Sequence, residues 1–168
     1  FNPFFEIADN LASCWMAREH FHDDFLLLNG DTLFEPKIIA KLLSQDKLPI
    51  TLATDKKDQY DEDDMKVITE DSRLLSVGKK LPADKVTGES IGIMHFNPEG
   101  AELFRESVET AMYNQETLAK WYLSIIDLLA KDNKVDNCSI HGMQWTEVDF
   151  VHDLENAEAL TQKWTNDS

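Results

Sequence analysis

Cysteine, glycine and positive charge are all scarce in this chain, and each shortage removes a class of explanation. The two cysteines, Cys14 and Cys138, are too few for a disulfide framework. The six glycines, at positions 30, 78, 88, 92, 100 and 142, include no Gly-x-Gly, so the chain encodes no glycine-rich phosphate loop. Lys and Arg number 16 against 32 Asp and Glu, a net charge of −16 that repels nucleic-acid backbones and anionic membranes. No apolar run approaches membrane-spanning length and no secretory leader is visible, so a cytoplasmic location is expected. What is present suits folding. At 168 residues, 42% of them hydrophobic, residues 1–168 read as a single domain with a real core. The acid excess favours a divalent cation wherever carboxylates converge.

The chain is organised around Phe25-Leu-Leu-Leu-Asn-Gly-Asp-Thr32. Four apolar residues running into a turn-forming cluster read as a strand buried on both faces. Asp31 then stands at the strand's carboxyl end, where ligands bind in open α/β sheets. Equally, Asn29-Gly30-Asp31 reads as a plain turn, with Asp31 capping the next segment. Upstream, residues 9–22 place Leu11, Cys14, Trp15 and Ala17 at helical spacing, with Asp9 or Asn10 as N-cap. Downstream come a helix over 36–43, a strand over 49–54, a solvated loop over 56–64 and a hairpin from 65–69 and 74–77. Next are a strand over 90–96, a helix over 98–112 and a long helix over 116–131. Strands over 135–140 and 145–148 flank a turn at Gly142, and Asp153 caps a closing helix over 154–164. This alternation predicts an α/β fold, a mixed sheet with helices on both faces.

Several stretches, taken in order, carry a resemblance. They are Asn2-Pro3-Phe4 with Asn10-Leu-Ala-Ser13 and Trp15, then Phe25 to Phe34, Asp63 to Val67, Val77-Gly-Lys79, Gly88 to Ile93, and Trp145-Thr-Glu-Val-Asp149 with Asp153-Leu154 after it. Together they resemble the nucleotidyltransferases of the nucleotide-diphospho-sugar transferase fold, in particular the phosphocholine cytidylyltransferase-like branch. The resemblance implies a Rossmann-like, mainly parallel sheet. It also implies Mg²⁺-dependent transfer of a nucleotidyl group from a nucleoside triphosphate, CTP favoured, to a small phosphorylated acceptor such as phosphocholine, releasing pyrophosphate.

The same match implies the site residues. Asp31 and Asp149 correspond to the metal aspartates, and Mg²⁺ needs only one or two carboxylates because it keeps several waters. Lys79 corresponds to a lysine holding the acceptor phosphate, with Lys66 a second candidate. Glu89 lines the acceptor pocket, and Glu147 orients metal water or holds a cationic headgroup. Asn10 and Ser13, at a helix start, face the nucleotide, in keeping with anion binding at helix N-termini. A quaternary ammonium calls for aromatic faces, for which Trp145, Tyr122, Trp121 and Tyr60 are available, with Asp61 to Asp64 nearby. Each has a plainer reading: Glu147 and Asp149 as solvated strand-end carboxylates, Lys79 as a surface lysine, Trp121 and Tyr122 as core. His20 and His22 read as surface residues.

One diagnostic element of these enzymes, an amino-terminal strand with a glycine-rich, arginine-bearing loop, has no match here. The chain starts Phe1-Asn2-Pro3 and is expected to be the carboxy-terminal portion of such a domain, truncated at its N-terminus. A truncated sheet exposes an apolar edge. Pairing with a second copy, or with the absent segment, is therefore expected. The alternatives are a sugar-phosphate nucleotidyltransferase and a non-catalytic ligand- or partner-binding module.

Overall fold

Gly88–Phe96 is buried along its whole length and forms the axis of the fold. The computed structural model describes residues 1–45 and 47–166. Its helices are α1 (Asn10–Ala17), α2 (Lys37–Leu43), α3 (Pro98–Met112), α4 (Leu123–Lys131) and α5 (Asp153–Asn166). Its strands are β1 (Phe25–Leu28), β2 (Thr32–Phe34), β3 (Ile50–Asp55), β4 (Lys66–Glu70), β5 (Arg73–Gly78), β6 (Gly88–Phe96), β7 (Val135–Ser139) and β8 (Trp145–Glu147). Six of them form one sheet in the order β1-β6-β3-β7-β5-β4, β4 also pairing with the start of β6, while β2 and β8 pair separately.

The sheet is mixed, as expected, with helices on both faces. Its ladders, however, are mainly antiparallel: β3–β7 is the one parallel pairing among the described residues. The placement of β6 is the reason. Strands β1, β3 and β7 run one way, and β6 lies between β1 and β3 in the opposite sense. On one face α1, α3 and α4 bury Leu11, Phe104, Val108 and Ile126 against Leu52, Met94 and Phe96. On the other, Ile38 and Leu42 of α2 meet Ala53, Ile91, Ile93 and Cys138. Phe21, Phe25, Phe96 and Phe104 form a continuous aromatic stack with successive ring centroids 4.8, 4.5 and 4.9 Å apart. Such offset and tilted contacts add to the burial energy of each ring.

Four expectations change. β1 sends Phe25 and Leu27 to one core and Leu26 to the other, yet it is an edge strand, half-buried, with Leu28 exposed. The helix expected over 9–22 ends at Ala17 and continues as a 3-10 turn to His20. The long helix expected over 116–131 is broken into a 3-10 turn at Gln115–Ala119 and α4, with Lys120 extended. Tertiary hydrogen bonds explain the break: the carbonyls of Leu118 and Lys120 accept from the amides of Asp9 and Leu11, which would otherwise be unpaired donors at the start of α1. Finally, β7 and β8 do not pair across the Gly142 turn, because β8 leaves the main sheet to pair with β2.

Gly92 is required where β6 passes β1. Its φ is +71°, and a Cβ there would collide with the side-chain carboxamide of Asn29. The close approach allows the Asn29 backbone amide to donate to the Gly92 carbonyl at 2.9 Å.

Phe104, fully buried at the end of the stack, provides a test of this core. Replacing it (Phe104→Ala) is expected to cost about 3–5 kcal/mol in urea unfolding; a cost below about 1 kcal/mol would mean that this face is not packed as described.

Candidate active site

At the carboxyl ends of β1 and β3 a cleft of about 620 Å³ opens, and acidic side chains dominate its wall. Asp31 follows β1, Glu89 lies on β6, Asp61, Asp63 and Asp64 come from the loop before β4, and Glu147 and Asp149 come from the end of β8. Lys79, just past β5, is the basic side chain among the lining residues. Asn10, Asn29, Trp121 and Tyr122 complete the inner wall.

The β2–β8 ladder creates the acidic centre. Thr32 pairs with Glu147, and the Val148 amide donates to the Asp31 carbonyl at 3.0 Å, so residues far apart in sequence meet at one strand end. Asp153, expected to cap α5, instead accepts from the amides of Asp149 and Phe150, at 3.1 and 2.8 Å, and so fixes the backbone that carries Asp149. The Glu147 carboxyl is pushed up to about 7, first by burial, then by the charges of Asp149, Asp31 and Glu89, with Lys57 opposing. Oxygen donors crowded enough to resist ionisation have the right chemistry for a hard divalent cation. No group of three or more His, Cys, Asp or Glu side chains stands in metal-holding geometry among the described residues. A cation that keeps several of its waters needs only one or two of the cleft's carboxylates.

The cleft's other walls are held by hydrogen bonds. The Tyr122 hydroxyl donates to Asn29 Oδ1 at 2.7 Å, and the Tyr122 amide donates to Asn10 Oδ1 at 2.8 Å. Burial raises the Tyr122 pKa, so its hydroxyl stays a donor. Glu89 is buried and raised by that burial despite its 2.9 Å ion pair with Lys57. Lys57 also reaches Asp64 at 2.7 Å; burial works against its ammonium, but the hydrogen bonds to both carboxylates outweigh it. Lys57 and Asn29 are the residues that sequence reasoning missed. Asn29 sat in a turn cluster and Lys57 in a charged loop, where no pattern marks a lysine bridging two distant carboxylates.

Of the residues singled out in the sequence, the structure brings Asp31, Asp149, Lys79, Glu89, Glu147, Asn10 and Tyr122 to this one cleft. Ser13 stays outside: it is exposed, accepts from Asn2 Nδ2 at 3.1 Å, and borders a smaller recess of about 360 Å³ that shares Asn10, Asn29, Asp31 and Tyr122 with the cleft. Asn10 and Ser13 do not form the helix-terminus anion site expected of them. The first amides of α1 are taken by Leu118, Asp9 and Lys120 oxygens, which leaves none free for an anion. Trp145 also lies outside the cleft. It packs on the α2-side core and donates its indole N–H to Asp55 Oδ2 at 2.8 Å. Lys66 donates to the backbone carbonyls of Asp61, Asp64 and Lys79, so it ties the loop to β5. Tyr60 lies under the Lys57 ammonium, 5.9 Å away. His20 and His22 are on the surface.

No family model matches the chain, and no curated protein matches it in sequence. Solved structures do match in fold. The inositol-1-phosphate CTP transferase from T. maritima superposes with a TM-score of 0.75 at 20% identity, over 94% of this chain and 62% of that one. The CTP:phosphocholine cytidylyltransferase from Streptococcus pneumoniae gives 0.71 at 14% identity, over 96% and 67%. A putative glucose-1-phosphate thymidylyltransferase from Bacillus anthracis, solved in complex with a sucrose, gives 0.71 at 13% identity, over 92% and 61%. The chain shares the fold of these structures and spans about three-fifths to two-thirds of their length.

The raised Glu147 value sets a pH dependence. Because the folded-state pKa lies above the ordinary 4.5, the stability that this group contributes is complete below that pH and is lost as pH rises through about 7. Glu147→Gln should match the parent chain near pH 4 and exceed it in stability at pH 8, as read by urea midpoints in chelator at low salt. Parallel pH profiles for the two would show that Glu147 titrates as an ordinary carboxylate.

Proposed function

We propose that the chain is part of a Mg²⁺-dependent nucleotidyltransferase that joins a nucleotide to a small phosphorylated acceptor. The observation that carries this reading is the convergence of Asp31 and Asp149 at one strand end, beside Lys79, in this fold. An acceptor phosphate oxygen attacks the α-phosphorus of the triphosphate, the bond to the β-phosphate breaks, and pyrophosphate leaves. Mg²⁺ held by Asp31 and Asp149 would neutralise phosphate charge. The chain's own contribution is position: Asp153 holds the Asp149 backbone, the Asn29–Tyr122–Asn10 bonds hold the inner wall, and Lys79 lines the same cleft. The recess beside Asp31, with Asn10 and Ser13 on its rim, is assigned to the nucleotide. The chain itself carries no glycine-rich loop, so this proposal gives it the metal and acceptor side of the reaction.

CTP and phosphocholine are the substrates we favour. Two of the similar structures are CTP-using enzymes by name, and the cleft offers Trp121 and Tyr122 amid carboxylates, which suits a quaternary ammonium. We place the protein in the cytoplasm, where its two buried free cysteines are stable; no described helix is long and apolar enough to cross a membrane. The proposal reads residues 1–168 as one domain and includes a partner for the edge of β1, either a second copy or further polypeptide of the same protein. A monodisperse monomer of this chain in light scattering would count against that partner.

The test is pyrophosphate release by the complete protein with CTP, Mg²⁺ and phosphocholine. Asp31→Ala and Asp149→Ala should each lower turnover at least about a hundredfold with the fold intact. Unchanged turnover would remove the metal assignment. Faster use of sugar phosphates than of phosphocholine would move the acceptor to that class, and no turnover with any pair would leave a binding module.

A further inference from the structure

The ammonium of Lys79 is already seated. Its Nζ lies 4.3 Å from the centroid of the Trp121 ring and 3.0 Å from Asp63 Oδ1. An ammonium over an aromatic face, flanked by a carboxylate, is the arrangement by which proteins recognise alkylated ammonium ligands. The two contacts are unequal. Asp63 is almost fully exposed at 96%, so that ion pair is screened and exchanges readily, whereas the Lys79 side chain is only 26% exposed and rests on the ring. From this seat Lys79 is poorly placed to hold a phosphate, because a dianion at Nζ would be pressed against the Asp63 carboxylate and the electron-rich ring face. To serve a phosphate, Lys79 must first leave Trp121.

We propose that Lys79 is a built-in occupant of a cation seat formed by Trp121 and Asp63. A ligand's ammonium displaces it, and the released side chain turns to the phosphate of the same ligand. This rests on the reading of the cleft as an acceptor site and deepens it into a selectivity device. A zwitterionic phosphate ester, with a quaternary or protonated amine at one end, supplies both the cation that frees Lys79 and the anion that receives it. A phosphate ester without a cation leaves Lys79 on Trp121 and finds a wall of carboxylates. The surrounding charges act in the same sense: Asp61 and Asp64 belong to the same loop as Asp63, and Lys66 and Lys57, the nearby ammoniums, are engaged with backbone carbonyls and with Asp64 and Glu89.

The test is a titration of the chain with choline chloride, with sodium chloride at matched ionic strength as the control, monitored at the indole N–H resonance assigned to Trp121. Lys79→Met removes the competing ammonium and should tighten choline binding about fivefold, the scale of one partly desolvated cation–π contact. Lys80→Met removes the same charge from an exposed neighbour that does not line the cleft, and should leave the affinity unchanged. Trp121→Leu should abolish binding, with circular dichroism confirming the fold; the comparison of the two lysine variants stands without it. Equal tightening by both lysine variants would reduce the effect to net charge and overturn the proposal. No tightening in Lys79→Met, or no choline binding by any variant, would overturn it as well. None of these readouts needs turnover. Exchange at Trp121 in a protein that transfers no nucleotide would therefore refute the reaction and keep the seat, and turnover without exchange would do the reverse.

Discussion

Three residue pairs, Thr32–Glu147, Leu33–Thr146 and Phe34–Trp145, hold the chemistry of this molecule together. The ladder is short and stands outside the main sheet, yet it joins the turn after β1 to the end of β8 and so brings Asp31 beside Glu147 and Asp149. A short two-stranded ladder is marginal alone. Here its ends are anchored: the Trp145 indole donates to Asp55 on β3, Phe34 and Trp145 pack on the α2-side core, and Thr32 donates to the Ile91 carbonyl of β6. Loss of that ladder would leave the strands of the main sheet intact and scatter the carboxylates.

Concentrating carboxylates in this way is unfavourable in the absence of a counter-ion, and the fold relieves the repulsion unevenly. Lys57 bridges Glu89 and Asp64, and Asp63 meets Lys79. Around Glu147 the neighbouring charge is mostly of its own sign, and the carboxyl responds by holding its proton to about pH 7. The part of the cleft that the chain leaves uncompensated is the part around Glu147, Asp149 and Asp31. Binding sites commonly keep such unrelieved strain, because a ligand then supplies the missing charge.

How far this was legible in the sequence depends on the range of the interactions concerned. The hairpin of β4 and β5, helix α3 and the buried run of β6 arise from period and turn chemistry within a few residues, and the structure shows them close to where the sequence places them. The break between the 3-10 turn and α4 was not legible. The apolar spacing from Leu118 to Leu129 is helical, and only the unpaired amides of α1, more than a hundred residues upstream, pull Leu118 and Lys120 out of helix. Trp145 misled for a similar reason. An aromatic next to a candidate metal aspartate invites a role in the cleft, but Asp55 of β3 and the α2-side core, both distant in sequence, hold the Trp145 ring outside it.

The sequence by itself determined the fold class and the acidic character of the chain, because hydrophobic period and residue chemistry are local properties that survive without coordinates. Tertiary structure alone decided the mainly antiparallel pairing, the capture of β8 by β2, the closed N-terminus of α1 and the seat of Lys79 on Trp121. Each of these is settled by which distant backbone or ring happens to satisfy a hydrogen bond or a charge, and that choice is made only when the whole chain has packed.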